Sequence, residues 1–480
     1  YAMLMFFDFF FKSCMMLPYL EFLKSSGISV RFFRIVFHTT SFNRYLQKFC
    51  SRLPSLYRHS FKFGCYVTLL LFPVALCLLL GSIFSSSTSY ENETSISGDK
   101  TTSTSEATRL EILLPGVNLP LNEIGYYIFS LLICSVVHEL GHGIAAILDD
   151  VSVTGFGVQL MFIVPVAYTE IDSESMLQAK FWKKLKICSA GIWNNILLAG
   201  FCWFLLLLIP ILLSPIFVSN EAVFITKIKP KAPVKGENGL YVGDSVTEIN
   251  NCRVTNEEQW LKCLSDSIIH HPAFCVSEDF VHDNEESIHE VEHGKDGSVV
   301  TCCPVNSALN CFENLDEDRL PQYVCLNIRN TVEHSKQYCH KSTCAEHTSC
   351  IKPVLPNSTT IIHIKRKNRV KDVVYYGHPQ DILRYVSVSD YVPKTKIFEP
   401  WLGDSITLML KYITVFSSGL AIVNSLPCYG LDGQLLVNAL ISNLPSSIGK
   451  NKKELISFAI NLIGSSALFV AIVKIIYTTF

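Results

Sequence analysis

The sequence predicts a polytopic α-helical membrane protein that carries a separate α+β module outside the bilayer. Of its 480 residues, 49% are hydrophobic and only 17% are charged, which is too apolar for an ordinary soluble enzyme. Several apolar runs are long enough to cross a membrane, whereas residues 218–400 are more polar and rich in cysteine. With 40 basic and 42 acidic residues and no basic arm or finger motif, the chain gives no reason to expect nucleic-acid binding.

Residues 1–62 combine an apolar start with a basic stretch. Residues 1–20 are rich in Phe, Met and Leu but are interrupted by Asp8 and Lys12, and they predict a first span or a re-entrant anchor. Residues 24–62 carry many Lys and Arg side chains without an acidic one. The positive-inside rule therefore predicts that residues 24–62 are cytosolic.

The next two segments predict a crossing followed by a linker. Residues 63–84 are uncharged and long enough to span the bilayer. Residues 85–123 begin with a run of Ser, Thr and Glu that is too polar to fold, and they contain the glycosylation sequon Asn92-Glu93-Thr94. Because such sequons are accessible only to lumenal enzymes, we expect this linker to be lumenal.

Residues 124–217 contain the most informative motif, H-E-L-G-H at 138–142, inside an apolar segment of about residues 124–148. On a helix, His138 and His142 lie four residues apart on one face, where their imidazoles can share one Zn²⁺ while Glu139 reaches a bound water. A carboxylate at the bilayer centre costs roughly 2.5–3.5 kcal/mol, so Glu139 needs a functional reason to be there. The combination predicts a zinc protease that works inside the membrane.

The rest of this region predicts a hairpin and another crossing. Residues 155–165 read as a Gly-punctuated apolar hairpin, either an edge strand that pairs with an unwound substrate or a loop lying at the interface. Lysines within 180–186 again indicate the cytosolic side. The crossing at about 187–217 contains Asn194 and Asn195, whose amides either stabilise a developing oxyanion or tie helices together; composition alone favours the structural role.

Residues 218–400 predict a PDZ-like α+β module. Its strands alternate around a Gly-Asp turn and its helix contains Trp260; the predicted segments are 223–228, 239–250, 260–264, 360–364 and 385–388. An insertion at 252–350 holds ten of the eighteen cysteines, which predicts disulfides in an oxidising lumen. A metal cluster with the neighbouring histidines is the alternative, although no C-x-x-C pair occurs there. A second sequon begins at Asn357.

Residues 401–480 predict a return into the membrane over 405–424 and a last span over about 455–477. Between Asp404 and Glu454 the only carboxylate is Asp432, which follows an apolar, Pro- and Gly-containing segment. A catalytic zinc normally takes three protein ligands, of which H-E-L-G-H supplies two. Asp432 is therefore the candidate third ligand, with helix capping beside Gly433 as the alternative.

Three motifs in this order resemble the site-2 protease family of intramembrane metalloproteases, and its animal members in particular. They are H-E-L-G-H at 138–142, A-G-I-W-N-N at 190–195 and N-S-L-P-C-Y-G-L-D-G at 424–433. The Ser-rich linker and the Cys-rich insertion are also similar. The chain departs from the family at Pro165-Val166-Ala167-Tyr168, where Pro-Gly-Ala-Phe is usual.

The resemblance implies one Zn²⁺ per chain, held by His138, His142 and Asp432, with Glu139 as the acid/base and Asn195 as a further catalytic residue. It also implies single-span substrates, namely membrane-anchored transcription factors already cut by a lumenal protease, such as sterol-regulatory-element-binding and stress-activated factors. The expected location is the Golgi or endoplasmic reticulum membrane, with the module lumenal and excluding uncut precursors. The alternative is an inert membrane adaptor or chaperone that binds partners through the PDZ-like module.

Overall fold

The computed structural model describes most of the chain in detail. The described residues are 2–31, 34–84, 120–161, 164–236, 238–286, 290–294, 297–301, 303, 309–316, 320–335, 337–339, 344–345, 347–356, 359–395, 397–445 and 447–479. The predicted linker is therefore described only from residue 120 onward. The sequon asparagines Asn92 and Asn357 both lie outside the described residues.

Helices and strands are interleaved along the chain. The helices are α1 (Ala2–Ser13), α2 (Leu17–Ser26), α3 (Phe42–Cys50), α4 (Pro54–Phe84), α5 (Ile124–Leu148), α6 (Ser173–Gln178), α7 (Phe181–Leu213), α8 (Glu257–Ile269), α9 (Glu278–Asn284), α10 (Ile328–His334), α11 (Pro379–Tyr385), α12 (Trp401–Asn424), α13 (Asp432–Ser442) and α14 (Lys450–Thr479). A short 3₁₀ turn, Leu121–Glu123, precedes α5.

The described strands belong to five sheets, and the strands are numbered here in chain order. They are β1 (Ile28–Arg31), β2 (Arg34–Thr39), β3 (Val153–Met161), β4 (Val164–Ile171), β5 (Phe217–Val218), β6 (Val223–Ile228), β7 (Ser245–Ile249), β8 (Cys252–Arg253), β9 (Phe274–Ser277), β10 (Glu290–Gly294), β11 (Gly297–Thr301), β12 (Asn310–Asn314), β13 (Tyr323–Leu326), β14 (Gln337–Tyr338), β15 (Thr348–Pro353), β16 (Thr360–Arg366), β17 (Val373–Gly377), β18 (Val386–Ser389) and β19 (Val392–Pro393).

The chain divides into two compact units. The first, which we call the membrane unit, comprises Tyr1–Leu207 and Leu408–Phe480, and the second, which we call the module, comprises Leu208–Thr407. Among the described residues, five helices are long and apolar enough to cross a membrane, namely α4, α5 with its 3₁₀ turn, α7, α12 and α14. The polytopic helical part of the prediction is therefore confirmed. Helices α1 and α2 are bent by 118° at the break between them, as in a broken span or a re-entrant loop.

Helices α4 and α14 run side by side in the membrane unit and enclose the segment before α13. Ala75 and Leu79 of α4 pack with Leu426, Cys428 and Ala471. Near the far end, the Lys474 ammonium donates to the carbonyls of Ser82 and Ile83, at 2.9 and 2.8 Å. Helix α4 begins nine residues before the apolar run predicted as a span. Its first turns carry Arg58 and Lys62, which lie outside that run.

A four-stranded antiparallel sheet packs against α5 in the order β1-β2-β3-β4. The hairpin predicted at 155–165 is present as β3 and β4, which pair from Val153 with Ile171 to Met161 with Val164. Strands β1 and β2 were not predicted; they arise from the basic stretch, pair with each other, and join the sheet through the pairing of β2 with β3. The hairpin is thus half of a larger sheet.

The module contains a sheet in the order β17-β16-β7-β6-β18, with β8 paired to β7. Helix α8 supplies Trp260 and Leu264 to a core that also holds Ile225, Ile249 and Ile362, all essentially inaccessible to solvent. The predicted helix and the strands at 223–228, 360–364 and 385–388 occur here with the same, longer or shifted bounds, whereas the segment 239–250 is a strand only over Ser245–Ile249. The PDZ-like identity of the fold stays a prediction. The insertion adds a second sheet in the order β13-β12-β15-β9-β14.

Disulfides join the cysteines of this region, as predicted. The described bonds are Cys252–Cys263, Cys275–Cys344, Cys303–Cys325 and Cys339–Cys350. Cys275, Cys339 and Cys344 lie close enough to suggest a metal group, but each is already bonded to another cysteine. The alternative of a metal cluster is therefore wrong for these three.

Candidate metal centre

Three predicted ligands from distant parts of the chain meet in the membrane unit. His138 and His142 lie one turn apart on α5, and Asp432 is the first residue of α13. Asp432 Oδ2 lies 2.9 Å from His138 Nε2 and 3.1 Å from His142 Nε2, and the two Nε2 atoms are 3.2 Å apart. Both histidines are buried.

This donor set fits a metal ion. Nitrogen and oxygen ligands about 2.0–2.2 Å from a tetrahedral Zn²⁺ lie about 3.3–3.6 Å from one another. The three ligand atoms of His138, His142 and Asp432 are 2.9–3.2 Å apart, so a shift of a few tenths of an ångström would accommodate the ion. Two neutral imidazoles and one carboxylate could hold Zn²⁺ here and leave a coordination position free.

Hydrogen bonds orient both imidazoles from the side away from this cluster. His142 Nδ1 lies 2.8 Å from the carbonyl oxygen of Ile187, so Nδ1–H donates there and Nε2 keeps a lone pair for a metal. At His138, Nδ1 lies 3.1 Å from Asn195 Nδ2, and the fully buried Asn195 Oδ1 has no hydrogen-bond partner. Turning the amide over would let Oδ1 accept from Nδ1–H, which satisfies both groups.

Helix α7 approaches α5 closely because small residues face the cluster. A Cβ on Gly191 would lie 2.4 Å from His142 Nε2 and 2.6 Å from His138 Nε2, so only glycine leaves room for the two rings. Asn194 also ties the helices together, since its Nδ2 donates to the carbonyl of Val137 at 3.2 Å. Gly191 belongs to the A-G-I-W-N-N motif but was not among the predicted site residues. Its position four residues before Asn195, on the same face of an apolar helix, could have indicated that it lies close to the site.

Asp432 reaches the centre because the chain is irregular between α12 and α13. Gly430 has a φ of +84°, and α13 then starts at Asp432, where a carboxylate interacts favourably with the helix N-terminus. A Cβ on Gly433 would lie 2.0 Å from the carbonyl oxygen of Leu426. The L-D-G sequence therefore combines a ligand with a glycine that permits a tight return of the backbone.

Glu139 faces the sheet. Its Oε2 accepts from the backbone N–H of Thr169 at 2.8 Å, and the Thr169 hydroxyl donates to the Glu139 carbonyl at 2.8 Å. One turn earlier on α5, Ser135 Oγ accepts from the N–H of Ala167 at 2.8 Å. Two outward amides of the edge strand β4 are thus already paired with α5, which the prediction of an open strand edge did not anticipate.

An apolar cavity of about 210 Å³ lies between α5 and the sheet. Glu139 is the one carboxylate in its lining, which otherwise includes Val136, Leu140, Phe156 and Val158. An extended hydrophobic segment could therefore reach the Glu139 carboxylate without passing other charged groups of the lining. The structure thus brings His138, His142, Asp432 and Asn195 into contact, and places Glu139 beside them on the cavity side of α5.

Comparison with known proteins matches the chain to a peptidase family and to a curated relative. The model of "Peptidase family M50" matches residues 126–468, which include the H-E-L-G-H motif and Asp432. The chain is also similar to a protein of Arabidopsis thaliana described as "Membrane-bound transcription factor site-2 protease homolog", at 28% identity over 148 residues. That alignment spans 31% of this chain and 28% of the relative's length.

Proposed function

Because the chain belongs to peptidase family M50, the family of the site-2 proteases, we propose that it is a zinc metalloendopeptidase that cleaves peptide bonds inside the membrane. The observation that carries this proposal is the convergence of His138, His142 and Asp432 among membrane-spanning helices. Two imidazoles and one carboxylate are typical of catalytic zinc sites, which keep one position open for the reaction.

In the proposed mechanism, His138, His142 and Asp432 hold one Zn²⁺ per chain. When bound, Zn²⁺ supplies Lewis-acid activation of a water molecule and of the scissile carbonyl. Glu139 takes the proton from the attacking water and returns it to the leaving amine. Asn195 acts as a positioning residue, because its amide lies against His138 Nδ1 and fixes the ring with Nε2 towards the metal position.

The contacts of Glu139 suggest how substrate and general base are coupled. A substrate strand that pairs with the outer edge of β4 would take over the N–H groups of Ala167 and Thr169. Glu139 would then lose its hydrogen bond to Thr169 and be free to accept a proton. In this proposal the base becomes available when an unwound substrate occupies the strand edge.

The Ser135→Ala variant tests this coupling. Without the Ser135 hydroxyl, the Ala167 N–H is free to pair with substrate, and because one hydrogen bond contributes about 1 kcal/mol we expect kcat/KM to rise up to about fivefold. The measurement is cleavage of a single-span substrate in membranes. An unchanged or lower kcat/KM would argue against pairing at β4.

The proposed substrates are transmembrane segments of single-span proteins. The apolar cavity beside Glu139 suits a hydrophobic chain, and a helical segment must unwind there because its carbonyls are otherwise bonded to amides four residues on. Helix-breaking residues in the substrate should therefore favour cleavage.

We further propose that the substrates are membrane-anchored transcription factors already trimmed by a lumenal protease, and that cleavage releases their cytosolic domains. The similarity to an Arabidopsis thaliana protein described as a membrane-bound transcription factor site-2 protease homolog supports this choice. The disulfides of the module support a lumenal position for residues 218–400, in the endoplasmic reticulum or Golgi, because such bonds persist in oxidising compartments.

The deciding experiment co-expresses the chain with a trimmed single-span substrate and compares cleavage and bound zinc. We expect Glu139→Gln to keep zinc and lose cleavage, because the ligand set is intact and the base is gone. We expect Asp432→Ala to lose zinc as well as cleavage. Asp150→Ala is the matched control, because that exposed carboxylate just beyond α5 pairs only at 3.5 Å with Lys183. Cleavage that persists in both site variants would overturn the assignment and favour the adaptor alternative.

A further inference from the structure

A second cavity, of about 450 Å³, lies between the first turns of α4 and α7, apart from the metal centre. Its lining is basic and aromatic and contains no carboxylate. The lining includes Arg58, Lys62 and Lys186 together with His59, Tyr66 and Trp182. Such a lining suits an anion with an adjoining apolar part.

The cavity lies where charged sequence gives way to membrane sequence on both helices. Lys62 is the last charged residue of α4 before the uncharged stretch 63–84, and Lys186 is the last charged residue of α7 before the uncharged stretch 187–213. Both ammonium groups line the same cavity. Because the uncharged stretches of both helices begin at this cavity, the cavity lies at the level of the lipid headgroups.

Two exposed aromatic side chains support a position of the cavity at the level of the lipid headgroups. Tyr66 and Trp182 line the cavity and are 48% and 56% exposed, respectively. Tyr and Trp are enriched at membrane interfaces because one part of the ring system is apolar and the other is polar. Their exposure is expected if lipid covers them.

The cations of the cavity are only partly neutralised. Lys186 pairs with the buried Asp149 at 2.6 Å. The Arg58 guanidinium donates to the carbonyl of Leu148 at 3.3 Å, and neither Arg58 nor Lys62 has an ion pair with any carboxylate of the described chain. A guanidinium and an ammonium at one cavity are the groups that bind phosphate most often.

We propose that this cavity binds the phosphate-bearing headgroup of an anionic membrane lipid. Arg58 and Lys62 contact the phosphate, while Tyr66 and Trp182 lie against the start of the acyl region. A soluble phosphate shares the headgroup chemistry but lacks the acyl chains. A lipid is therefore distinguished from a soluble phosphate by the contacts of its acyl region with Tyr66 and Trp182.

The test uses the full chain in detergent, titrated with short-chain phosphatidylinositol phosphate and followed by native mass spectrometry. For the double variant Arg58→Gln, Lys62→Gln we expect about thirty-fold weaker lipid binding, because each basic residue near a headgroup contributes about a factor of five or more. The matched control is Lys48→Gln, Arg52→Gln, which removes the same charge from exposed residues outside the cavity. We expect its binding to fall less than about threefold.

Three outcomes would overturn the proposal. Equal losses in the two double variants would mean general charge attraction, and unchanged binding in both would mean that lipid binds elsewhere. If inositol phosphate or inorganic phosphate binds as tightly as the lipid, the cavity serves a soluble anion. Bound zinc is measured in parallel, so a variant that keeps zinc and loses lipid has an intact membrane unit and supports the proposal.

Discussion

The membrane unit and the module fix their side chains by different means. All eight free cysteines of the described chain lie in the membrane unit, and six of them are buried, with Cys50, Cys65 and Cys134 among them, whereas all four described disulfides lie in the module. The imidazoles of the candidate metal centre are oriented by hydrogen bonds to Asn195 and to the Ile187 carbonyl, and by the close approach that Gly191 allows.

The module relies instead on covalent links and buried charge. Its insertion consists of short strands joined by long connections, and the Cys275–Cys344 bond closes a loop of 69 residues. In the adjoining sheet, the inaccessible Asp244 pairs with Arg366 at 2.8 Å and with Arg369 at 2.7 Å. The difference follows from solvent: membrane helices satisfy their own backbone, so packing suffices, whereas a small, loop-rich region in water needs cross-links.

The largest effect that would test this comparison is expected from Gly191→Ala. The added Cβ would lie 2.4 Å from His142 Nε2, so the rings must separate and zinc affinity should fall about 100-fold or more. Zinc per chain after dialysis against a chelator is the measurement. Gly200→Ala on the same helix is the control, because its Cβ would meet nothing within 4 Å. Full zinc occupancy in Gly191→Ala would mean that close packing does not fix the site.

A smaller effect is expected from the disulfides. Replacing Cys275 and Cys344 by Ser should destabilise the module by about 4 kcal/mol, and replacing Cys339 and Cys350 by about 3 kcal/mol, because the closed loops contain 69 and 11 residues. Amide exchange in β9 and β15 measures this loss. Zinc binding in the membrane unit should be unchanged, and its loss together with that of the module would contradict the separation of the two units.

The smallest effect concerns pH. His363 is buried between the Tyr338 hydroxyl and the Asp372 carboxylate, and burial lowers the pKa of its imidazole although Asp372 opposes this. The unfolded chain therefore binds a proton more readily, so this contribution to stability is present above about pH 6.5 and is lost as the pH falls further. The protection factors of the β16 amides, which correct for the intrinsic pH dependence of exchange, should be lower at about pH 5 than at about pH 7.5. His363→Gln should reduce this difference, and higher protection factors in acid would contradict it.

Local patterns were sufficient to predict much of the candidate site. His138 and His142 were predicted to share one face because their spacing fixes that on any helix, and Asp432 was predicted because it is the sole carboxylate of a long apolar stretch. The hairpin at 155–165 was predicted from its glycines and alternating apolar residues. These inferences depend on neighbours within a few positions in the sequence.

The features that were missed depend on distant residues. Strand β2 pairs with β3 across more than a hundred positions, and nothing in the basic stretch itself indicates that partner. The hydrogen bonds of Ser135 and Glu139 to β4 require the sheet to be in place. The importance of Gly191 is a matter of ångström-scale distance between two helices, which a single sequence does not record.

The separation of the ligands along the chain also affects how the protein is made. His142 and Asp432 are 290 positions apart, and the whole module is translated between them. Until the ribosome has produced α13, the growing chain has two imidazoles and no third ligand for the proposed centre. Under the proposed function, an unfinished chain therefore lacks a complete centre and cannot cut neighbouring membrane proteins while it is being made.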